Sequence, residues 1–286
     1  MVKVCVMGLG NIGLPVADHV SKIYTPTLGY DISKVAIDNI KKQYTEKETR
    51  INASTELEYA DVYVIAVNTW YRNGYPDMSA VEDCTKRAAE LNSNALICFE
   101  STLAKGTART LAKKYNLENV AVCPHRWWKQ EEDKYGVVQL RVLGSLNEES
   151  QKKAQAFYDS LGIPLHVVNS LELAELSKLV ENTYYYLRIA YAEELKLLCD
   201  ENDLNFNELR DAVNTKWNVD LSEARNGIGG ECLPKDIRFL MNNYSDMPLL
   251  QGAVATDMQY QVKLAKDCPN SETGSYDDQK IMSVLH

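Results

Sequence analysis

A glycine-rich turn near the start of the chain constrains its fold more than any other feature. Gly8, Gly10 and Gly13 have the spacing G-x-G-x-x-G. They follow an apolar run at residues 2–7 and precede a helical pattern at residues 14–23. The first glycine permits a tight turn, the second lets a pyrophosphate approach the backbone, and the third lets the helix pack against the strand. The order of strand, turn and helix therefore predicts a dinucleotide-binding unit.

Short apolar runs alternate with amphipathic segments over the first 167 residues. The predicted strands span residues 2–7, 27–30, 61–67, 95–99 and 120–123. The predicted helices span residues 14–23, 34–42, 78–91, 107–115 and 149–161. This alternation indicates a parallel sheet that helices cover on both faces. The fold class we predict for residues 1–167 is therefore α/β, a Rossmann-type doubly wound parallel sheet.

The pattern changes after residue 167. Residues 171–202 have apolar positions at helical spacing and contain neither Gly nor Pro, which predicts one long helix. We expect an all-helical domain for dimerisation and substrate binding over residues 168–266, built on this long central helix. Tyrosines at 184–186 and 191 would leave more apolar surface than one domain covers, which predicts a homodimer. Residues 267–286 are predicted to form a loosely held tail.

Asp31 decides which dinucleotide we expect. It ends the second predicted strand, eighteen residues after Gly13. A carboxylate at that point can accept hydrogen bonds from the adenosine ribose hydroxyls, and it would repel a 2′-phosphate. The sequence therefore predicts NAD rather than NADP.

Composition excludes several other classes of partner. The net charge of −9 disfavours nucleic acid, whose binding needs a basic face. No apolar run reaches the length of about 18 residues that a membrane helix needs. The seven cysteines contain no C-x-x-C pair, which argues against a metal site and a disulfide framework. The first residues lack the anatomy of a signal peptide, so we expect a cytoplasmic protein.

A cysteine in a second glycine-rich segment is the candidate nucleophile. Cys232 lies in N-G-I-G-G-E-C-L-P-K-D, where Pro234 is placed to begin a helix. A helix N-terminus and the neighbouring Lys235 both favour the nucleophilic thiolate. A lone cysteine is more often a small buried hydrophobic residue, and this alternative stays open on the loop alone.

Two polar residues on the long helix support a reactive site. Lys178 and Asn182 are four residues apart and therefore share one helical face. An ammonium group and an amide donor on that face can bind the oxygen of a reacting carbonyl. The alternative is a solvated polar stripe without a chemical role.

Together these segments resemble the UDP-glucose and GDP-mannose dehydrogenases, the nucleotide-sugar 6-dehydrogenase family. The resemblance covers almost the whole chain in order. It comprises G-x-G-x-x-G-L-P-V-A, Gly-Tyr-Asp31 with Lys34, Glu100-Ser-Thr102 with Gly106-Thr, Pro124, R-V-L-G at 141–144, A-E-L-S-K-L-V-E-N at 174–182, and G-x-G-G-x-C-x-P-K-D at 227–236.

The resemblance implies a chemistry and assigns residues to it. Such enzymes oxidise a sugar C6 alcohol to a carboxylate with two NAD⁺ and a cysteine that carries a thiohemiacetal and then a thioester. The nucleophile would be Cys232, Lys178 and Asn182 would stabilise oxyanions, and Asp236 and Thr102 would position or activate water. The residues implied in cofactor binding are Gly8, Gly10, Asn11, Ile12, Gly13, Asp31, Lys34, Thr69 and Thr102.

The chain also departs from the family pattern. His125 stands where the family has a glutamate that handles water, and a histidine can serve as a base near neutral pH. The helix pair Glu193-Glu194 replaces Asn-Glu, and Thr69-Trp70 replaces Thr-Pro. Aromatic residues at 70–76 and 127–128 are interpreted as packing, with base stacking as the alternative.

The length of the chain leaves alternatives open. Family members usually continue into a second Rossmann-like domain that binds the nucleotide end of the substrate, so we expect a short form without it. Two other hypotheses remain at this point. One is a one-step NAD-dependent hydroxyacid dehydrogenase, which does not require Cys232, and the other is a non-catalytic NAD-binding subunit.

Overall fold

The computed structural model describes residues 2–44, 50–127, 131–244 and 246–267. The chain forms two compact units, Met1–Lys178 and Leu179–His286. The predicted domain limits at 167 and 266 stay predictions. Residues 268–286 of the predicted tail lie outside the described residues, as does Trp128 of the aromatic pair.

The structure contains strands and helices at the following positions. The strands are β1 (Val4–Met7), β2 (Thr27–Tyr30), β3 (Ile51–Ser54), β4 (Val62–Ile65), β5 (Trp70–Arg72), β6 (Tyr75–Asp77), β7 (Leu96–Phe99), β8 (Val120–Val122), β9 (Arg141–Ser145) and β10 (Leu165–Val167). The helices are α1 (Gly13–Ser21), α2 (Lys34–Tyr44), α3 (Ser79–Leu91), α4 (Thr107–Lys114), α5 (Glu132–Tyr135), α6 (Glu148–Ser160), α7 (Leu171–Glu201), α8 (Phe206–Asn214), α9 (Cys232–Met241) and α10 (Pro248–Asp267).

The main sheet has the strand order β10-β9-β8-β7-β4-β1-β2-β3 within the described residues. Its pairs are parallel except for β8 and β9, which are antiparallel. The predicted doubly wound α/β fold is confirmed, and the expectation of a wholly parallel sheet is wrong at this one pair. The prediction missed β3, β9 and β10 because these short strands carry polar residues such as Asn52, Arg141 and His166.

The central strands are buried on both faces, which explains their continuous apolar sequences. In β1, Cys5 and Met7 belong to one hydrophobic cluster, whereas Val4 and Val6 belong to a second cluster on the opposite face. Apolar residues at successive positions are expected where helices cover both sides of a parallel sheet.

A small hairpin follows β4 and was not predicted. Its strands β5 and β6 are antiparallel and pair Arg72 with Tyr75. Asn73 and Gly74 both have positive φ, at 53° and 81°. Two such residues form the tight turn that an Asn-Gly pair favours, so this dipeptide was a usable signal for the hairpin.

The described residues of the second unit form helices and loops and contain no strand. It contains α7 from Leu179 onward together with α8, α9 and α10. The apolar residues of this unit pack into a small core that contains Ala192, Cys199, Phe206 and Leu221. In the part of the chain that the structure describes, no helix is both long and apolar enough to cross a membrane.

Candidate active site

The first glycine turn is tied to the end of β2. Gly8 N–H donates to the Tyr30 carbonyl oxygen at 2.8 Å. Asp31 Oδ2 accepts a hydrogen bond from Leu9 N–H at 2.9 Å, and Asp31 Oδ1 accepts one from Ser33 N–H at 2.8 Å. These bonds hold the carboxylate beside the turn, where the predicted contact with an adenosine ribose requires it.

The turn also leaves space for a pyrophosphate. A Cβ added at Gly10 would have no heavy atom within 4 Å, and both Gly10 and Asn11 are exposed. Gly13 begins α1 and Ile12 directly precedes it, so the turn ends at a helix N-terminus. The residues present at this turn therefore fit NAD.

Other predicted cofactor residues lie at the same edge of the sheet. Lys34 begins α2 and is exposed. Thr69 follows β4, Thr102 follows β7, and the Thr69 hydroxyl donates to the Thr102 carbonyl oxygen at 2.9 Å. Because β1, β2, β4 and β7 are parallel neighbours, the segments that follow them meet at the carboxyl edge, where ligands of such folds bind.

A buried ion pair lies beyond β7 and was not predicted from the sequence. Arg141 is 0% exposed, and its Nη1 lies 2.9 Å from Glu100 Oε1. Tyr158 O–H donates to the same oxygen at 3.2 Å. Burial raises the pKa of the Tyr158 hydroxyl well above its ordinary value, so this group stays a donor. The only sequence signal was a charged residue at the start of an apolar strand.

His125 belongs to this cluster, and its surroundings do not suit the predicted base. Its Nε2 lies 3.0 Å from Arg141 Nη2, and its Nδ1 accepts a hydrogen bond from Trp127 N–H at 3.0 Å. Burial, followed by the charges of Arg141 and Lys178, lowers the pKa of His125 well below its ordinary value. The ring is neutral near pH 7, and because Nδ1 accepts from Trp127 N–H, its single proton lies on Nε2, so neither nitrogen has a free lone pair. The structure gives no support to proton abstraction by His125.

A second carboxylate links α7 to the loop that carries Thr102. Glu175 is 1% exposed and accepts hydrogen bonds from Gly106 N–H at 2.5 Å and Ala108 N–H at 2.8 Å. These amides belong to the N-terminus of α4, whose first N–H groups lack partners within the helix. Burial raises the pKa of Glu175 to about 7. Lys178 lies on α7 one turn after this cap.

In the second unit, Cys232 is the first residue of α9. It is exposed, whereas the five other cysteines of the described residues are buried. The predicted position at a helix N-terminus is therefore found, with Pro234 in the first turn. Amides and the helix dipole at that end favour an anionic sulfur.

Asp236 contacts two other residues that the sequence singled out. It is 1% exposed, and its two oxygens accept from Lys235 Nζ and Asn182 Nδ2, each at 2.5 Å. The structure thus brings Asn182, Lys235 and Asp236 together within the second unit. One amide hydrogen of Asn182 is directed at Asp236.

Comparison with known proteins assigns the family. Residues 2–162 match the NAD binding domain of the UDP-glucose/GDP-mannose dehydrogenase family, and residues 172–258 match its central domain. The chain belongs to this family. The predicted family, enzyme class, NAD cofactor and fold are therefore confirmed, while the roles of individual site residues stay predictions.

Two relatives show how far the similarity extends. A UDP-N-acetyl-D-mannosamine dehydrogenase of Campylobacter jejuni is 29% identical over 84% of this chain and 67% of its own length. The solved UDP-D-ManNAc dehydrogenase of Pyrococcus horikoshii has a TM-score of 0.84 and 28% identity, and the match covers 92% of this chain and 70% of that one. The chain thus spans about two thirds of the length of such family members.

A third protein of known structure shares the fold alone. It is the 3-hydroxyisobutyrate dehydrogenase of Mycobacterium tuberculosis, with a TM-score of 0.67 and 14% identity over 94% of both chains. An architecture of this kind thus also occurs in a protein named as a hydroxyacid dehydrogenase. The fold therefore does not separate the two enzyme hypotheses, and the site residues must do so.

Proposed function

We propose that this chain catalyses the NAD-dependent oxidation of a nucleotide-sugar C6 alcohol to a carboxylate, with Cys232 as the nucleophile. The observation that carries the proposal is the placement of Cys232. It lies exposed at the first position of α9, four residues before an Asp236 that Asn182 and Lys235 hold in place. A one-step alcohol oxidation has no use for a thiolate at that point.

The reaction balances in two oxidations and one hydrolysis. The C6 alcohol first loses a hydride and a proton and becomes an aldehyde. The Cys232 thiolate adds to the aldehyde carbon, and the adduct takes up a proton at oxygen to give a thiohemiacetal, which loses a second hydride and a proton and becomes a thioester. Water then attacks the thioester carbon, and the products are the carboxylate and the free thiol. When bound, NAD⁺ accepts the hydride in each oxidation.

The residues of the chain would act at defined points of this sequence. The first turn and Asp31 would hold the cofactor, together with Lys34, Thr69 and Thr102. Lys178 and Asn182 would donate to the oxyanion at C6, and Asp236 and Thr102 would position water. We assign no proton transfer to His125, because its ring nitrogens face Arg141 and Trp127.

The names of the relatives favour one substrate for the first trial. UDP-N-acetyl-D-mannosamine is the substrate in the name of the Campylobacter jejuni protein. We therefore propose a UDP-linked sugar of this kind as the ligand of this chain.

The homodimer predicted from the sequence remains a proposal and has support on α7. Tyr184, Tyr191 and Leu198 are 60%, 59% and 51% exposed. They are seven residues apart, so they lie along one side of the helix. A second copy of the chain would cover this apolar stripe.

Product stoichiometry tests the proposed function. We expect two NADH for each UDP-N-acetyl-D-mannosamine consumed, and we expect Cys232→Ser to remove carboxylate formation. Cys268→Ser, at the cysteine outside the described residues, is the control and should retain turnover. A single NADH with no effect of Cys232→Ser would favour the hydroxyacid dehydrogenase. Binding of NAD⁺ without turnover across UDP- and GDP-sugars would favour a non-catalytic subunit.

A further inference from the structure

A buried carboxylate of α10 contacts the loop that leads to Cys232. Asp257 is 3% exposed, and its Oδ1 accepts a hydrogen bond from Ile228 N–H at 2.9 Å. Its Oδ2 accepts one from the Tyr186 hydroxyl of α7 at 3.0 Å. Ile228 lies four residues before Cys232 in the glycine-rich segment. One side chain thus joins α7, α10 and the loop.

Two other residues of α10 support this contact. Tyr260 O–H donates to the Arg225 carbonyl oxygen at 2.9 Å. Gln261 Nε2 donates to both oxygens of Asp257, at 3.0 and 3.1 Å. A Cβ added at Gly227 would lie 2.7 Å from Gln261 Cγ, so the loop rests directly on this helix.

The loop has little packing of its own after these contacts. Gly229 and Gly230 are exposed, and a Cβ added at either would have no heavy atom within 4 Å. The position at which the chain enters α9 therefore depends on the buried anchor upstream. Of these anchoring groups, Asp257 accepts hydrogen bonds both from the loop amide of Ile228 and from the Tyr186 hydroxyl of α7.

We infer that Asp257 is a positioning residue that fixes Cys232 for reaction. This role rests on the proposed function only for the identity of the reacting thiol. Tyr186 lies one turn after Asn182 on α7, so the bonds to Asp257 also set the loop relative to the helix turn that carries Asn182. Displacement of a nucleophile by about 1 Å can lower a rate by about a hundredfold.

The test measures the reactivity of Cys232 and the kinetic constants of the full chain. In a Cys268→Ser background, we expect Asp257→Ala to slow the alkylation of Cys232 by iodoacetamide, followed by mass spectrometry, about tenfold. We expect kcat to fall about tenfold or more, with the KM for NAD⁺ unchanged within about twofold. Unchanged alkylation and unchanged kcat would overturn the inference.

Two further variants separate positioning from loss of stability. Asp257→Asn keeps an oxygen for Ile228 N–H and offers an amide hydrogen to the Tyr186 oxygen. The alkylation rate and kcat of this variant should therefore lie close to those of the unchanged protein. Asp200→Ala is the matched control, since it removes a different contact between α7 and α10, the ion pair of Asp200 with Lys263. If Asp200→Ala slowed alkylation as much as Asp257→Ala, a general loosening of these helices would explain the result and the inference would fail.

The same measurements remain informative if Asp257→Ala does not fold or the proposed function is wrong. Tyr186→Phe removes the bond to Oδ2 and keeps the Asp257 carboxylate, and we expect it to slow alkylation to a smaller extent than Asp257→Ala. An unchanged rate in a folded Tyr186→Phe protein, together with an unrestored rate in Asp257→Asn, would contradict the role. Turnover that persists in Cys232→Ser would refute the proposed role of Cys232 as nucleophile. The alkylation rates would still show whether Asp257 positions this thiol.

Discussion

The two glycine-rich turns of this chain are held by different kinds of contact. The turn at residues 8–13 is held mainly by the backbone of the sheet, through Gly8 N–H and the Tyr30 carbonyl, and by the close approach of α1 to β1. The loop at residues 226–232 is held by side chains of α10, above all Asp257. In both cases the partners follow more than twenty positions later in the sequence, so the difference lies in the kind of atom that holds the turn: mainly backbone atoms in the first and side-chain atoms in the second.

The largest effect is expected at Gly13. A Cβ at this position would lie 1.6 Å from the Gly8 carbonyl oxygen, a backbone atom that cannot move without displacing β1. We expect Gly13→Ala to lower the free energy of unfolding by at least about 3 kcal/mol and to abolish NADH binding. Urea denaturation and NADH fluorescence measure the two effects.

Gly10→Ala is the control for this substitution. Because a Cβ there would have no heavy atom within 4 Å, stability should change by less than about 1 kcal/mol. NADH binding should still weaken, since the added methyl group lies where the pyrophosphate approaches. Equal losses of stability in the two variants would show that close packing does not hold the first turn.

A buried carboxylate in the first unit, Glu175, differs from one in the second unit, Glu193, in its hydrogen bonds. Glu175 accepts two backbone N–H groups, whereas neither oxygen of Glu193 has a hydrogen-bond partner among the described residues. Burial, with a contribution from Asp257, raises the pKa of Glu193 to about 8. In the unfolded chain the pKa of this group is near 4.5. Folding therefore binds a proton at neutral pH.

The sign of the pH dependence follows from these two values. The contribution of Glu193 to stability is fully present below pH 4.5 and is lost as the pH rises through about 8. We expect the stability of the wild-type protein, relative to Glu193→Gln, to fall by about 4 kcal/mol between pH 5 and pH 9. Urea denaturation at several pH values tests this. Glu194→Gln, at the exposed neighbour, should follow the wild type, and a parallel pH profile for Glu193→Gln would contradict the assignment.

Local patterns predicted the parts of the site that depend on local structure. The spacing of Gly8, Gly10 and Gly13 and the position of Asp31 predicted the dinucleotide turn. The segment around Cys232 likewise predicted a cysteine at a helix N-terminus, as the structure shows.

Single polar residues with distant partners were not predictable in this way. Glu175 and Asp257 each bind backbone amides that lie 29 to 69 positions away in the sequence. The environment of His125 was missed for the same reason, because Arg141 reaches it from another strand. A residue type suggests what a side chain can do, whereas its partners decide whether it does so.

The smallest effect is expected in the cysteine loop. Three glycines there separate the cost of a positive φ from the cost of a Cβ that would meet Gln261. Gly229 has an ordinary φ and open space, Gly230 has a φ of 79° and open space, and Gly227 has a φ of 82° with a Cβ site against Gln261. We expect Gly229→Ala to leave the free energy of unfolding nearly unchanged. Gly230→Ala should lower it by about 1 kcal/mol, and Gly227→Ala by about 2 kcal/mol.

Alkylation of Cys232 distinguishes the position of the loop from its stability. Gly227→Ala should slow it, because the added methyl group lifts the loop from Gln261 and lengthens the bond from Ile228 to Asp257. Gly229→Ala should leave the alkylation rate close to that of the wild type, and NADH binding should be the same in all three variants. If Gly229→Ala were as costly as Gly227→Ala, the loop would depend on its own backbone, as the first turn does, and the difference between the two turns would disappear.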